Sequence, residues 1–384
     1  MLNRFSIPIQ IVNLVGRLPA TILFIVILLE CALALDLPLA QAQPLEGHDL
    51  KSSQQEINYF RVTMAALAGL VLFIYGVTRL AQGLEAIAGE QMRKWVGRFT
   101  SNRFAGVFTG AIATTALESS SVTIIMVITM VSAGVMSFTQ SLGVVLGSNI
   151  GTTIGAQLIA LEINLYAPIL LFAGVLLHFI GRNDFQKSLG LVLLGFGLLF
   201  FGLDVVEGAM RPFRDHPTFH AWMTRLGDQA ALGALVGAVF TLLIQSSSAT
   251  VAVIITLAGS GMISLPTGIA LMLGAEVGTC ADTLIATIGR GRPALRTGVF
   301  HLLFNLVSVV VGIAFAAQLA RLAEMVSGGG NVGRQIANAQ LVFNLIGVIL
   351  IIGFVPIIAR ALERLLPDRK ADQQRQQEKP GSVK

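Results

Sequence analysis

Apolar residues run along this chain in long, nearly uncharged stretches, at about 60–82, 104–133, 138–160, 165–181, 188–208, 230–258, 264–288, 297–320 and 335–358. Short charged connections separate them. Several approach the ~20 residues that a helix needs to cross hydrocarbon, so the pattern predicts an all-α polytopic membrane protein. Ahead of these runs, Arg4 and Arg17 precede an apolar segment from Thr21 to Leu35 and the triplet Ala40-Gln41-Ala42. That order predicts a signal peptide or signal-anchor over 1–42. A polar extracytoplasmic segment, 43–59, follows it. The tail 359–384 is rich in Arg, Lys and Gln, and from Pro367 onward it has few apolar residues to bury, which predicts disorder.

Composition agrees with the pattern. Of 384 residues, 54% are hydrophobic and 12% charged, where soluble chains carry roughly 25% charged residues. Forty glycines fit close helix packing in a bilayer. The net charge of +5 does not point to nucleic acid, because the basic residues sit in short connections and in the tail. Cys31 and Cys280 are too few for a disulfide framework or a metal site. No phosphate-loop lysine motif is present, so the chain itself offers no ATP-driven pump.

The charges also predict orientation. Connections 83–103, 182–187 and 289–296, and the tail, are basic, while 161–168 has no Lys or Arg. The basic set belongs in the cytoplasm, which places the C-terminus inside a bacterial-type inner membrane.

A shift of 127 positions lays Glu118-Ser119-Ser120-Ser121 on Gln245-Ser246-Ser247-Ser248. Without a gap it also matches Gly110 with Gly237, Thr123 with Thr250, Gly134 with Gly261, Gly147 with Gly274 and Gly151-Thr152 with Gly278-Thr279. One register held over some forty residues implies duplication, with a first repeat over 60–187 and a second over 188–358. The inside connection 83–103 matches the outside connection 209–228, so the repeats are expected to be inverted, with the site between them near the midplane.

Three consecutive serines are unusual in an apolar helix, since each polar group must find protein, ligand or water. Each triplet lies in the middle of an apolar run of about thirty residues, which suits a re-entrant helix–turn–helix. Helix starts at such a break suit an anion, and hydroxyls with unwound carbonyls suit a small hard cation. A second paired element is Gly147-Ser148-Asn149-Ile150-Gly151-Thr152-Thr153, matched by Gly274-Ala275-Glu276-Val277-Gly278-Thr279-Cys280. Its glycines would let the backbone unwind, or else serve a close helix crossing. His301 and Asn305 in HLLFN, echoed by QLVFN at 340–344, are expected to hydrogen-bond within the bundle.

The paired triplets, GSNIGTT and HxxFN together resemble the type II sodium-dependent phosphate (Na/Pi) cotransporter family over about 60–358. The resemblance implies symport of inorganic phosphate into the cell with sodium as coupling ion, by alternating access and without another cofactor. It implies that Glu118, Ser119, Ser120, Ser121, Gln245, Ser246, Ser247 and Ser248 line the substrate and sodium sites. Asn149, Thr152, Thr153, Glu276 and Thr279 would lie close by, with Thr123, Thr250, His301 and Asn305 in support. The tail is too short for the PhoU-like helical domain that bacterial members often carry.

Two departures bear on the substrate. Glu118 stands where that family usually has Gln, and Glu276 stands where the first glycine motif has Asn149. Intramembrane carboxylates are expensive and usually functional. Ionised, they favour cations; protonated, they donate to an anion or carry a coupling proton. The family's mechanism is therefore expected with altered ion coupling or anion preference, a sodium- or proton-coupled transporter of another small anion being the alternative. Glu118→Gln is expected to change the pH or sodium dependence of uptake. Two readings from other classes are a channel and an intramembrane serine hydrolase with His178 or His301 as base. Against the hydrolase stand the symmetric serines and the lack of a G-x-S-x-G elbow.

Overall fold

The computed structural model describes residues 58–161 and 163–368, so the expectations for 1–42 and for the end of the tail lie outside the described residues. All regular elements among those residues are helical. The first half holds α1 (Tyr59–Arg98), α2 (Arg103–Leu117), α3 (Ser120–Ser132), α4 (Phe138–Ile159) and α5 (Ala167–Ile180). The second begins with α6 (Asp184–Met210), α7 (Pro217–Asp228), α8 (Ala230–Ile244), α9 (Ser247–Gly259) and α10 (Leu265–Gly278). It continues with α11 (Cys280–Ile285), α12 (Arg292–Ala314), α13 (Ala316–Ser327), α14 (Val332–Ile352) and α15 (Val355–Leu365). Among the described residues, seven helical stretches are long and apolar enough to cross a membrane, or up to eight if α7 and α8, bent by 105°, count as one.

The 127-residue register reappears in the elements. α2 and α8 are both 15 residues long and begin 127 positions apart; α3 and α9 are both 13 residues long at the same offset. At 1.5 Å per residue a 13-residue helix is about 20 Å long, short of the ~30 Å hydrocarbon core. α3 and α9 are thus too short to span by themselves.

Local chemistry sets the breaks. Glu118 ends α2 and Gln245 ends α8 with left-handed backbone, φ 48° and 59°, the two non-glycine residues with positive φ among those described. The next residue in each half, Ser119 or Ser246, caps the following helix by accepting from the N–H of Val122 or Ala249, both at 3.2 Å. Gly134 and Gly261, φ 66° and 75°, then turn the chain after α3 and α9. Ser137 closes a capping box with Gln140 at the start of α4, and Ser264 caps α10.

Four features differ from the expectation. The basic connection 83–103 is helical to Arg98 as the end of the 40-residue α1. The connection 209–228, expected outside, contains α7, and the run 297–320 breaks at Phe315, where α13 starts. The first glycine motif does not unwind: α4 runs unbroken through Gly147 and Gly151, and only the second motif is interrupted, at Thr279 between α10 and α11. The glycines serve the close crossing instead. A Cβ on Gly147 would collide with the Val107 carbonyl of α2, and one on Gly274 with the Ala234 carbonyl of α8.

The halves interlock through their short helices. α3 packs on α11 and α12 of the second half, while α9 packs on α4 of the first half and on α14. The long α1 lies along α6, and α6 also carries α5. Phe73 and Leu80 of α1 and Leu199, Phe200 and Leu203 of α6 form an apolar cluster with Ala249, Ala252 and Val253 of α9.

Candidate functional site

The first serine of each triplet builds the break, as the caps above show. Ser120 and Ser247 are buried in the first turns of α3 and α9. Thr123 and Thr250 donate to the carbonyls of Ser119 and Ser246 at 3.1 Å and so tighten the same turns. Thr241 donates to Thr250 at 2.8 Å, whereas its counterpart Thr114 is buried with no hydrogen-bond partner.

The third serines reach across the halves. Ser121 Oγ lies 3.5 Å from Thr279 Oγ1 and close to the carboxylate of Asp282 on α11. Ser248 lines a cavity of about 30 Å³ with Glu118 and Gly155, room for one or two waters. Apolar side chains of α1 and α6, Phe73, Leu80, Phe196 and Leu199 among them, form its far wall.

These two places are related by the repeat, because Asp282 stands 127 positions after Gly155. A Cβ on Gly155 would run into Oε2 of Glu118, so in the first half the carboxylate over this helix position comes from the break between α2 and α3. In the second half Gln245 is neutral and exposed, and the carboxylate is rooted on the helix as Asp282. Each place keeps one acid and one third-position serine from the other half. Among the described residues no ion pair involves Glu118, Asp282 or Glu276. A carboxylate beside hydroxyls, with no basic partner, is a hard oxygen donor set for a small cation.

The glycine-motif residues divide. Asn149, Thr152 and Thr153 bond carbonyls of their own helix, those of Val145, Ser148 and Ile150, at 2.7–2.9 Å. Thr279 joins Ser121. Glu276 instead faces α14, where it accepts from Gln340 and Asn344. His301 and Asn305 hydrogen-bond within the bundle as expected. Thr283 Oγ1, which donates to the Cys280 carbonyl at 2.9 Å, meets His301 Nδ1 at 2.9 Å. Asn305 Nδ2 meets Nε2 of the same ring at 2.9 Å and donates to Cys280 Sγ at 3.2 Å.

Sequence motifs missed Asp282, Thr283, Gln340 and Asn344 as members of these clusters. The register did contain a signal for Asp282, an acid opposite a glycine. The QLVFN echo contained Gln340 and Asn344, with nothing to say that they face Glu276.

The description "Na+/Pi-cotransporter" belongs to a family whose model matches residues 72–208 and 214–343 of this chain. YqeW of Bacillus subtilis strain 168, itself uncharacterised, is 28% identical over 266 residues, 69% of this chain and 86% of that protein. YjbB of Escherichia coli strain K12, provisionally named for inorganic phosphate export, is 27% identical over 255 residues, 66% of this chain. The chain spans only about half of that relative, 47%. The human sodium-dependent phosphate transport protein 2C is 36% identical over 84 residues, 21% of this chain and 14% of that protein. No solved structure matches.

Proposed function

Since this chain belongs to the Na+/Pi-cotransporter family, we propose that it moves inorganic phosphate across the membrane in step with sodium, by alternating access between its two halves. The observation that carries the reading is the meeting of the halves at the third serines: Ser121 against Thr279 and Asp282, and Ser248 beside Glu118. The starts of α3 and α9 hold the unsatisfied N–H groups and positive dipole ends that favour an oxyanion. The carboxylates and hydroxyls beside them favour the cation. One ligand set built from both halves must come apart when either half moves, and that ties occupancy to conformation.

Net import is the direction a sodium gradient drives in a symporter. Export is the second reading, favoured because the phosphate-named relative that covers most of this chain, YjbB, is named for export. Uptake of labelled phosphate by purified protein in vesicles, with sodium and proton gradients imposed separately and in both directions, tests both readings. We expect saturable, sodium-stimulated transport, with Ser121→Ala and Ser248→Ala each lowering kcat/KM about 10- to 100-fold, as for a lost hydrogen bond to a charged group. Flux that neither saturates nor responds to an ion gradient would identify a channel. Loss on mutating one serine alone, with hydrolysis of an ester, would identify the hydrolase.

A further inference from the structure

Away from the serine tips, the second half buries a polar cluster that the phosphate path does not use. Glu276 on α10 is 2% exposed, and Gln340 and Asn344 on α14 are 0% and 1% exposed. Gln340 Nε2 donates to Glu276 Oε1 at 2.8 Å, and Asn344 Nδ2 donates to the same oxygen at 3.2 Å. Gln340 Oε1, at the other end of that amide, is buried and meets no hydrogen-bond donor. A carboxylate and an orphan carbonyl oxygen therefore share the interior without a positive partner. Buried carboxylates are paired or neutralised, and orphan buried acceptors are rare enough to require a reason. Flipping the Gln340 amide does not help, since it would set carbonyl oxygen against carboxylate oxygen, tolerable only with a proton between them.

The first half has no such cluster, because Asn149, at the position matched to Glu276, donates to the Val145 carbonyl of its own helix. We infer that Glu276 and Gln340 form a site for one monovalent cation, a sodium ion or a proton, with Asn344 holding the carboxylate in place. This rests on the transport reading: Glu276 lies one helical turn before Thr279, which touches Ser121, so occupancy here bears on the contact between the halves. The titratable groups on the helices around it are few. α8 and α9 carry none; Cys280 and Asp282 lie on α11 and His301 on α12. Arg292 also lies on α12; His220, Arg225 and Asp228 on α7, Arg296 on α12, Arg321 and Glu324 on α13 and Arg334 on α14 form no hydrogen bond with the Glu276 carboxylate.

The test reconstitutes the full-length protein in vesicles as wild type, Glu276→Asn and Gln340→Leu. Glu276→Asn installs the residue that the first half carries at the matched position. Phosphate exchange at equal concentrations reports the substrate path, and accumulation driven by a sodium gradient at equal pH, or by a pH gradient without sodium, reports coupling. The wild type is expected to respond to one gradient, which names the ion. Glu276→Asn is expected to lose about tenfold or more of the driven accumulation relative to its own exchange rate, and Gln340→Leu to raise the half-maximal ion concentration about tenfold. Coupling and ion dependence unaltered in both variants overturns the inference. Should Glu276→Asn exchange no phosphate, Gln340→Leu decides, and its unaltered ion dependence overturns the site. A wild type that moves no phosphate sinks the transport reading alone. The site is then judged by thermal unfolding in detergent against sodium and pH: dependence lost in Glu276→Asn supports it, and equal dependence in both proteins overturns it.

Discussion

Glu118 and Gly155 in one half, Gln245 and Asp282 in the other, divide the same chemistry differently. If what matters is one carboxylate over that helix position, the acid should be movable between its two mounts. Glu118→Gln is expected to change the pH or sodium dependence of phosphate uptake. Adding Gly155→Asp should restore most of it. The space is there, since the obstacle to a Cβ at Gly155 is the end of the flexible Glu118 side chain rather than backbone. Uptake assayed across pH and sodium concentration for the two variants checks this. A double variant no better than the single one would mean that the tip position, not the charge, is what counts.

At the scale of elements, the breaks and the crossings have separate causes. The breaks are local, a left-handed residue followed by a serine cap. The crossings are tertiary, because Gly147 and Gly274 let α4 lie on α2 and α10 on α8 at backbone contact. Gly147→Val is therefore expected to destabilise by about 1–3 kcal/mol or more, the usual range for overpacking, since backbone cannot give way as a side chain can. Gly208→Ala is the control: it lies in α6 with nothing within 4 Å of an added Cβ. There the change should be neutral, or stabilise by up to about 1 kcal/mol through the unfolded chain. Thermal unfolding of both variants in detergent distinguishes them.

For the whole molecule, the property that decides the mechanism is the relative orientation of the two repeats. Asn102 and Gln229 are matched by the 127-residue register and precede α2 and α8. If the repeats are inverted, single cysteines at these two positions will react with a membrane-impermeant thiol reagent from opposite sides of the membrane, Asn102→Cys from the cytoplasm. Native Cys280 is buried and does not compete, and Cys31 is replaced by serine for the experiment. Labelling of both from one side would mean parallel repeats, and the interface site would need another explanation.

Much of this was decided by the chain itself, because its causes act over short distances. Length and hydropathy dictate membrane helices, and the repeat in one register dictates matched elements. The serine triplets mark where helices start anew, since a serine that caps its own backbone needs no distant partner. The glycine motif was legible as a pair but not in its use. Unwinding and close crossing demand the same small residue, and only the neighbouring carbonyl shows which it is. What the tertiary structure alone decided is who meets whom. Ser121 and Thr279 are 158 residues apart, and Glu276 and Gln340 are 64 apart. Helices buried on nearly every side, as α4 and α10 are, carry no polar face to announce their rotation. Their few polar side chains acquire partners only when the halves close around them.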